Sequence, residues 1–224
     1  MNEHDRASAV GRTATVASMD DLVARCQDLV AAGSRRILGV TGTPGAGKTT
    51  VSAALAAALG DTAVLIGMDG FHYANMELRR LGRAHRKGAP DTFDVDGYVA
   101  LLSRLSDQGD GVVYAPYFDR ALEESIGSAV PVFPDVPLVI TEGNYLLNDD
   151  HGWGAVRQYL DEAWFIDVAP DVRRERLINR RISYGHSELD SVTWVDGVDE
   201  RNAAAVEPSR DRADLIVHVT TALG

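Results

Sequence analysis

Eight consecutive residues, Gly42-Thr43-Pro44-Gly45-Ala46-Gly47-Lys48-Thr49, follow the pattern G-x-x-x-x-G-K-T. Glycines at these positions let the backbone curl so that successive N–H groups converge on one point, where a following helix adds the positive end of its dipole. Lys48 adds a mobile full charge and Thr49 a hydroxyl, which together suit a polyphosphate and the Mg²⁺ that travels with it. Further acidic and polar residues follow apolar runs: Asp69 and His72 after Met68, Glu142 and Asn144 after Thr141, and Asp167 after Ile166. Beyond the ends of apolar strands such residues reach a crevice where ligands bind. Glu142 reads as the group on the metal side and Asp69 likewise as one facing bound metal and phosphate, whereas Asp167, with Pro170 close behind, reads as a turn residue.

These residues need strands and helices to hold them. Arg36-Ile37-Leu38-Gly39-Val40 is a short apolar run ahead of the glycine loop, and Thr50 to Leu59 behind it is rich in helix formers. The order strand, loop, helix is the context that the loop's chemistry requires. Four further apolar runs, 63–68, 137–141, 163–168 and 214–219, read as strands. Apolar residues at helical spacing mark 94–107, Ser18 caps a helix running toward Gly33, and Pro170 stands at a first helical turn. Asp94-Val95-Asp96-Gly97 has the form D-x-x-G, but it precedes a helix and not a strand end, so it reads as a helix start. Apolar strands alternating with helices predict an α/β three-layer sandwich of the P-loop NTPase kind, with a mainly parallel five-stranded sheet and an arginine-rich lid. Residues 1–17 lack periodicity and are expected to form a flexible N-terminus, with 18–224 a single domain.

Composition removes several classes. A net charge of −11 argues against a nucleic-acid partner, which would need a basic face. No apolar run is long enough to span a bilayer and no secretory leader is apparent, so a cytoplasmic protein without a membrane partner is expected. The single cysteine, Cys26, sits among Leu22, Val23 and Leu29 and reads as a core residue.

Taken in order, the glycine loop, Met68–His72, Arg86–Asp94, Thr141–Asn144, Leu177–Arg181 and Pro208–Asp214 resemble the motifs of the phosphoribulokinase/uridine kinase superfamily. The likeness is nearest to type I pantothenate kinases and to small relatives labelled fructose-transport or nucleoside kinases, and it spans roughly residues 35 to 220. It implies an ATP-dependent kinase acting on a hydroxyl of a small metabolite: a sugar, a nucleoside or a vitamin-like alcohol. Asp69 would be the base, and Lys48 and Arg180 the charges on the transferring group. Thr49 and Glu142 would lie near Mg²⁺; Gly42 to Thr50, Arg176 and Pro208 would hold the nucleotide; and Asp69, His72, Arg86, Lys87, Tyr117, Arg120 and Asn144 would border the acceptor. The run Arg173, Arg174, Arg176, Arg180, Arg181 would be the lid, and Asn202 with Val206–Pro208 would cover adenine. One departure stands out: Arg120 occupies the place of a histidine in type I pantothenate kinases, as if to meet a polar sugar or an anionic group. The implied partners are ATP and the acceptor, with a homodimer left open. A regulatory hydrolase is the alternative, although the N-K-x-D base-reading motif of guanine-nucleotide switches is absent.

Overall fold

The computed structural model describes residues 14–15, as backbone, and 18–218. In chain order the regular elements are β1 (Ala14–Thr15), α1 (Met19–Val30), β2 (Arg36–Thr41), α2 (Lys48–Leu59), β3 (Ala63–Gly67), α3 (Asn75–Arg80), α4 (Val95–Ser106) and β4 (Val113–Asp119). They continue with β5 (Glu124–Val132), β6 (Leu138–Glu142), β7 (Glu162–Asp167), α5 (Pro170–Ser183), α6 (Glu188–Trp194), α7 (Glu200–Val206) and β8 (Leu215–His218). The five expected strands form one all-parallel sheet, ordered β8-β7-β2-β6-β3, and β1 adds a two-residue pairing beyond β8. That short strand lies in the stretch expected to be a flexible N-terminus, whose remaining residues before Ser18 are outside the described part, as is Val219.

Period-two alternation along each strand sorts the core into two layers. Leu38 and Val40 of β2, Leu138 and Ile140 of β6, and Trp164 and Ile166 of β7 pack under α1 and α2, where Leu22, Cys26, Val51 and Leu55 meet them. Their neighbours Ile37, Val139, Ala163 and Phe165 face the other way, against Tyr98, Leu101, Leu102 and Leu105 of α4. β2, β6 and β7 are therefore covered on both sides, which is why their sequences read as continuous apolar runs. Helix starts follow their caps: Ser18 closes a capping box with Asp21, and Asp94 accepts from the Gly97 amide at 3.0 Å. Asp94 to Gly97 is thus a helix start, as its position in the sequence implies.

Residues 113–132 lie outside the expected strands, yet β4 and β5 form an antiparallel hairpin that packs against the end of β3. Val113 and Ala115 point inward and Tyr114 outward; the register then shifts between Ala115 and Tyr117, next to Pro116. Proline inside a strand removes a ladder donor and breaks the pattern that would announce the strand. The shift turns Phe118 inward and leaves Tyr117 56% exposed.

Candidate active site

At the carboxyl ends of β2, β3 and β6 the chain encloses a cavity of about 580 Å³. Its floor is the turn between β2 and α2. Gly42 adopts φ 148°, and a Cβ there would stand 2.6 Å from the Ile166 carbonyl oxygen; Gly45 adopts φ 80°, and a Cβ would stand 2.9 Å from the Arg173 carbonyl oxygen. Both positions demand glycine on two counts, conformation and space. Gly47 precedes α2 in the left-handed region, so the first amides of that helix point into the cavity. Ala46 packs in the core, Thr43 and Pro44 are buried, and Thr50 lies on the exposed side of the first turn of α2.

Lys48 is buried, its Nζ donating to the carbonyls of Gly42 at 2.9 Å and Thr43 at 3.0 Å. Burial, only partly offset by Glu142 and Asp69, lowers its pKa from the ordinary 10.5 to about 8. The folded protein therefore releases this proton before the unfolded chain does. Between about pH 8 and 10.5 the unfolded chain binds more protons, so the nucleotide-free protein should gain stability as pH rises through that window. Lys87, also lowered chiefly by burial, contributes in the same direction. Melting curves of the protein and of Lys48→Met across this range check it: the variant should show a smaller rise, and an equal rise would contradict the assignment.

Glu142 ends β6, buried beside Gly67, with Thr49 Oγ1 donating to its Oε1 at 3.2 Å. Burial and the neighbouring Asp69 push its carboxyl above the ordinary range, against the pull of Lys48. A hydroxyl and a carboxylate are hard oxygen donors, and Mg²⁺ carried on phosphates needs only one or two such protein ligands. The pair fits that ion. Among the described residues no cluster of three His, Cys, Asp or Glu side chains offers a closed cage.

Asp69 follows β3 in a short 3₁₀ turn, Met68–Phe71. Protein encloses it on most sides, although solvent still reaches 28% of the side chain. Burial works against its charge, but His72, Arg120, Lys48 and Arg180 together outweigh burial and hold the carboxyl below its ordinary 3.8. His72 is itself pushed toward the neutral ring by burial, so at neutral pH the holding charges are the arginines and Lys48. Arg120 Nη2 donates to Asp69 Oδ2 at 3.1 Å. His72 Nδ1 lies 2.8 Å from the Asp69 carbonyl, which can only accept, so Nδ1 carries the proton and Nε2 is left as an acceptor. The ring lies between Phe93 and Phe118, tilted by 41° and 43° at centroid distances of 4.0 and 4.8 Å.

Several expected neighbours do not reach the cavity. Arg86 instead clasps Asp91, Nη2 to Oδ2 at 2.7 Å, and braces its own loop, while Tyr117 points to solvent. Pro208 is exposed on a 3₁₀ turn, Glu207–Arg212, away from the lining, and Asp167, expected as a turn residue, is instead the last residue of β7, where it pairs with Arg210 and His218. Lys48, Thr49, Asp69, His72, Lys87, Arg120, Glu142, Asn144 and Arg180 do converge on it. Asn202 also lines it, and its Nδ2 donates to the Gly88 carbonyl at 3.3 Å, next to Lys87.

The arginines of α5 divide their work. Arg173 is buried, 5% exposed, and donates to both oxygens of Glu200; Arg174 pairs with Asp196; Arg176 comes to within 3.6 Å of where a Cβ on Gly47 would lie. Arg181 lies 4.8 Å from the centre of the Trp194 ring. Only the last turn, Arg180 and Arg181, faces the cavity, together with Tyr184, His186 and Trp194. Trp194 precedes and Asp199 ends a wide π turn, Val195–Asp199, and neither stands out in the sequence. Burial raises Asp199 to about 6 despite Arg180 and Arg181. No periodicity or motif marks that stretch, and a π turn has no sequence signature of its own.

The sequence model of the Phosphoribulokinase / Uridine kinase family matches residues 37–223. A Schizosaccharomyces pombe protein provisionally named a uridine kinase is 32% identical over 213 residues, which is 90% of this chain and 91% of that one. A pantothenate kinase of Latilactobacillus sakei is 26% identical over 82% of this chain and 68% of its own. Among solved structures, one from Silicibacter sp. TM1040, provisionally named a fructose transport system kinase, superposes with a TM-score of 0.82 at 35% identity, covering 89% of this chain and 98% of that one.

Proposed function

The chain belongs to the Phosphoribulokinase / Uridine kinase family, and from that membership and the cavity we propose that it transfers the γ-phosphate of ATP to a hydroxyl of a small metabolite. The observation that carries the reading is the gathering in one cavity of Asp69 with Lys48, Thr49, Glu142 and Arg180. Phosphoryl transfer asks a protein mainly to align donor and acceptor and to neutralise developing charge.

In this reading the glycine loop and the start of α2 hold the phosphates, with Arg176 beside Gly47. Lys48 leaves the Gly42 and Thr43 carbonyls for the β- and γ-phosphates, and the incoming negative charge keeps its proton on. Thr49 and Glu142 would hold Mg²⁺, which would draw charge from the phosphates. Asp69 accepts the proton of the acceptor hydroxyl as its oxygen bonds to the γ-phosphorus and the bond to ADP breaks. Arg180, partly exposed at the mouth on the last turn of α5, comes onto the transferring group as α5 and α6 close. A cytoplasmic location is part of the same proposal; no described helix is long and apolar enough to cross a membrane.

ADP release measured with ATP, Mg²⁺ and a panel of sugars, sugar acids, nucleosides and pantothenate tests this. One acceptor should accelerate release by about 10²-fold or more over water alone, because an unaligned water leaves the charged groups without a nucleophile in place. A panel-wide failure, with a protein fraction stimulating hydrolysis instead, would point to the regulatory hydrolase.

A further inference from the structure

The acceptor end of the cavity holds two cations beyond those facing the glycine loop. Arg120, paired with Asp69 at 3.1 Å, has its guanidinium carbon 6.0 Å from the centre of the Phe118 ring. Lys87 Nζ is 5.0 Å from the same ring centre. The chain has only two lysines, Lys48 and Lys87, and both line this cavity.

Lys87 is held unusually for an ammonium. Its side chain is 14% exposed, and Nζ donates to Asn75 Oδ1 at 2.8 Å and to the Glu123 carbonyl at 2.5 Å, both neutral oxygens. The Glu123 carboxylate stands 4.0 Å off, on a side chain 62% exposed and so screened by solvent. Glu124 and Asp69 add attraction from farther off, but no carboxylate is hydrogen-bonded to this shielded ammonium. Its backbone is nevertheless fixed: Tyr145 Oη donates to the Gly88 carbonyl at 2.6 Å and Asn202 to the same oxygen. A flexible side chain on a braced loop, in a chain of net charge −11, is kept positive at some cost in stability.

Resting on the kinase reading of Asp69, we propose that the acceptor is an anionic alcohol, whose carboxylate or phosphate binds between Lys87 and Arg120 with its carbon skeleton over Phe118. Arg120 offers a planar fork and Lys87 a point charge, a pairing suited to an oxyanion. The same oxyanion competes with Asp69 for Arg120. As Arg120 turns to the ligand, Asp69 loses a neighbouring cation and gains basicity, so the group that identifies the substrate also frees the base. The hydroxyl oxygen then bonds to the γ-phosphorus, the bond to the bridging oxygen breaks with its electron pair leaving on ADP, and the hydroxyl proton passes to Asp69. The oxyanion itself is unchanged.

Two measurements test this. The first compares kcat/KM within matched sets: glucose, gluconate and glucose 6-phosphate, then glycerol, glycerate and glycerol 3-phosphate. An anionic member should exceed its neutral parent by about 10²-fold or more, the usual scale for a hydrogen-bonded charge pair, and the carboxylate and phosphate arms tell the two sources apart. Arg120→Gln should bring that ratio below about 10-fold. Neutral members equal to the anionic ones, or an unchanged ratio in Arg120→Gln, would overturn the proposal. The second uses ¹³C-lysine, which gives two side-chain signals assigned through Lys87→Met. A non-hydrolysable ATP analogue should move Lys48, and the preferred anion, unlike its neutral parent, should move Lys87. If Lys48 responds and Lys87 answers to no anion, the acceptor inference falls while the kinase reading stands. If Lys87 responds but no compound yields ADP, the kinase reading falls and the anion site remains.

Discussion

Arg180→Ala should slow acceptor-stimulated ADP release by about 10³–10⁵-fold, the range associated with arginines acting on a transferring phosphoryl group, while ATP still binds with nearly unchanged affinity. The split follows from where the charges lie. In the proposed reading Lys48, the α2 amides and Arg176 would hold the phosphates from the floor, and none of them is hydrogen-bonded to Arg180. Arg180 faces Asp69 and Arg120 across the cavity, so its charge counts when the γ-phosphate is between donor and acceptor. Its neighbours keep the lid in place without it: Arg173 is clasped to Glu200, Arg174 to Asp196, and Arg181 lies against Trp194. Single-turnover rates beside equilibrium ATP binding check this. A loss under about 10-fold, or an equal loss of affinity and rate, would remove Arg180 from the transfer step.

Asp69→Asn should lower kcat by about 10²–10⁴-fold with little change in the KM for ATP, since a general base acts on the acceptor and not on the nucleotide. The substitution keeps the shape and an oxygen for Arg120, so the cavity should survive it. A pH profile adds a signature that lost packing would not produce. In the acceptor-free protein the carboxyl is held below 3.8, so its protonation should add a limb to the kcat/KM profile below that value, beneath any limb from Glu142, whose carboxyl lies above the ordinary range. In Asp69→Asn that acid limb should vanish. An unaltered kcat would shift the role to His72, whose Nε2 is the other acceptor at this end of the cavity.

The parts of the site legible in the sequence are those whose side chain or backbone demand is local. Gly42 and Gly45 adopt φ of 148° and 80°, a local backbone demand that favours glycine, Lys48 and Thr49 follow them on the first turn of α2, and Glu142 ends an apolar strand next to β2. Likewise β2, β6 and β7 show as apolar runs because they are covered on both faces. What stayed hidden depends on which of two adjacent residues turns inward. Arg86 and Lys87 look equivalent, but Gly88 at φ 98° opens a turn that brings Asp91 back to Arg86 and sends Lys87 to the cavity. Tyr117 and Phe118 exchange roles through the register shift beside Pro116, which no periodicity signals. The lid arginines illustrate the same limit: one helix carries five, and only packing against α6 and the π turn decides that Arg173 and Arg174 are structural while Arg180 and Arg181 face the site.

The fate of the γ-phosphate decides whether this chain is a kinase. ³¹P NMR of ATP with the protein, Mg²⁺ and the acceptor that best stimulates ADP release should show one new phosphate-ester signal growing in step with ADP, with inorganic phosphate at the level of the acceptor-free reaction. Inorganic phosphate growing in step with ADP, and no ester, would mean that water is the acceptor and that the cavity serves a hydrolase.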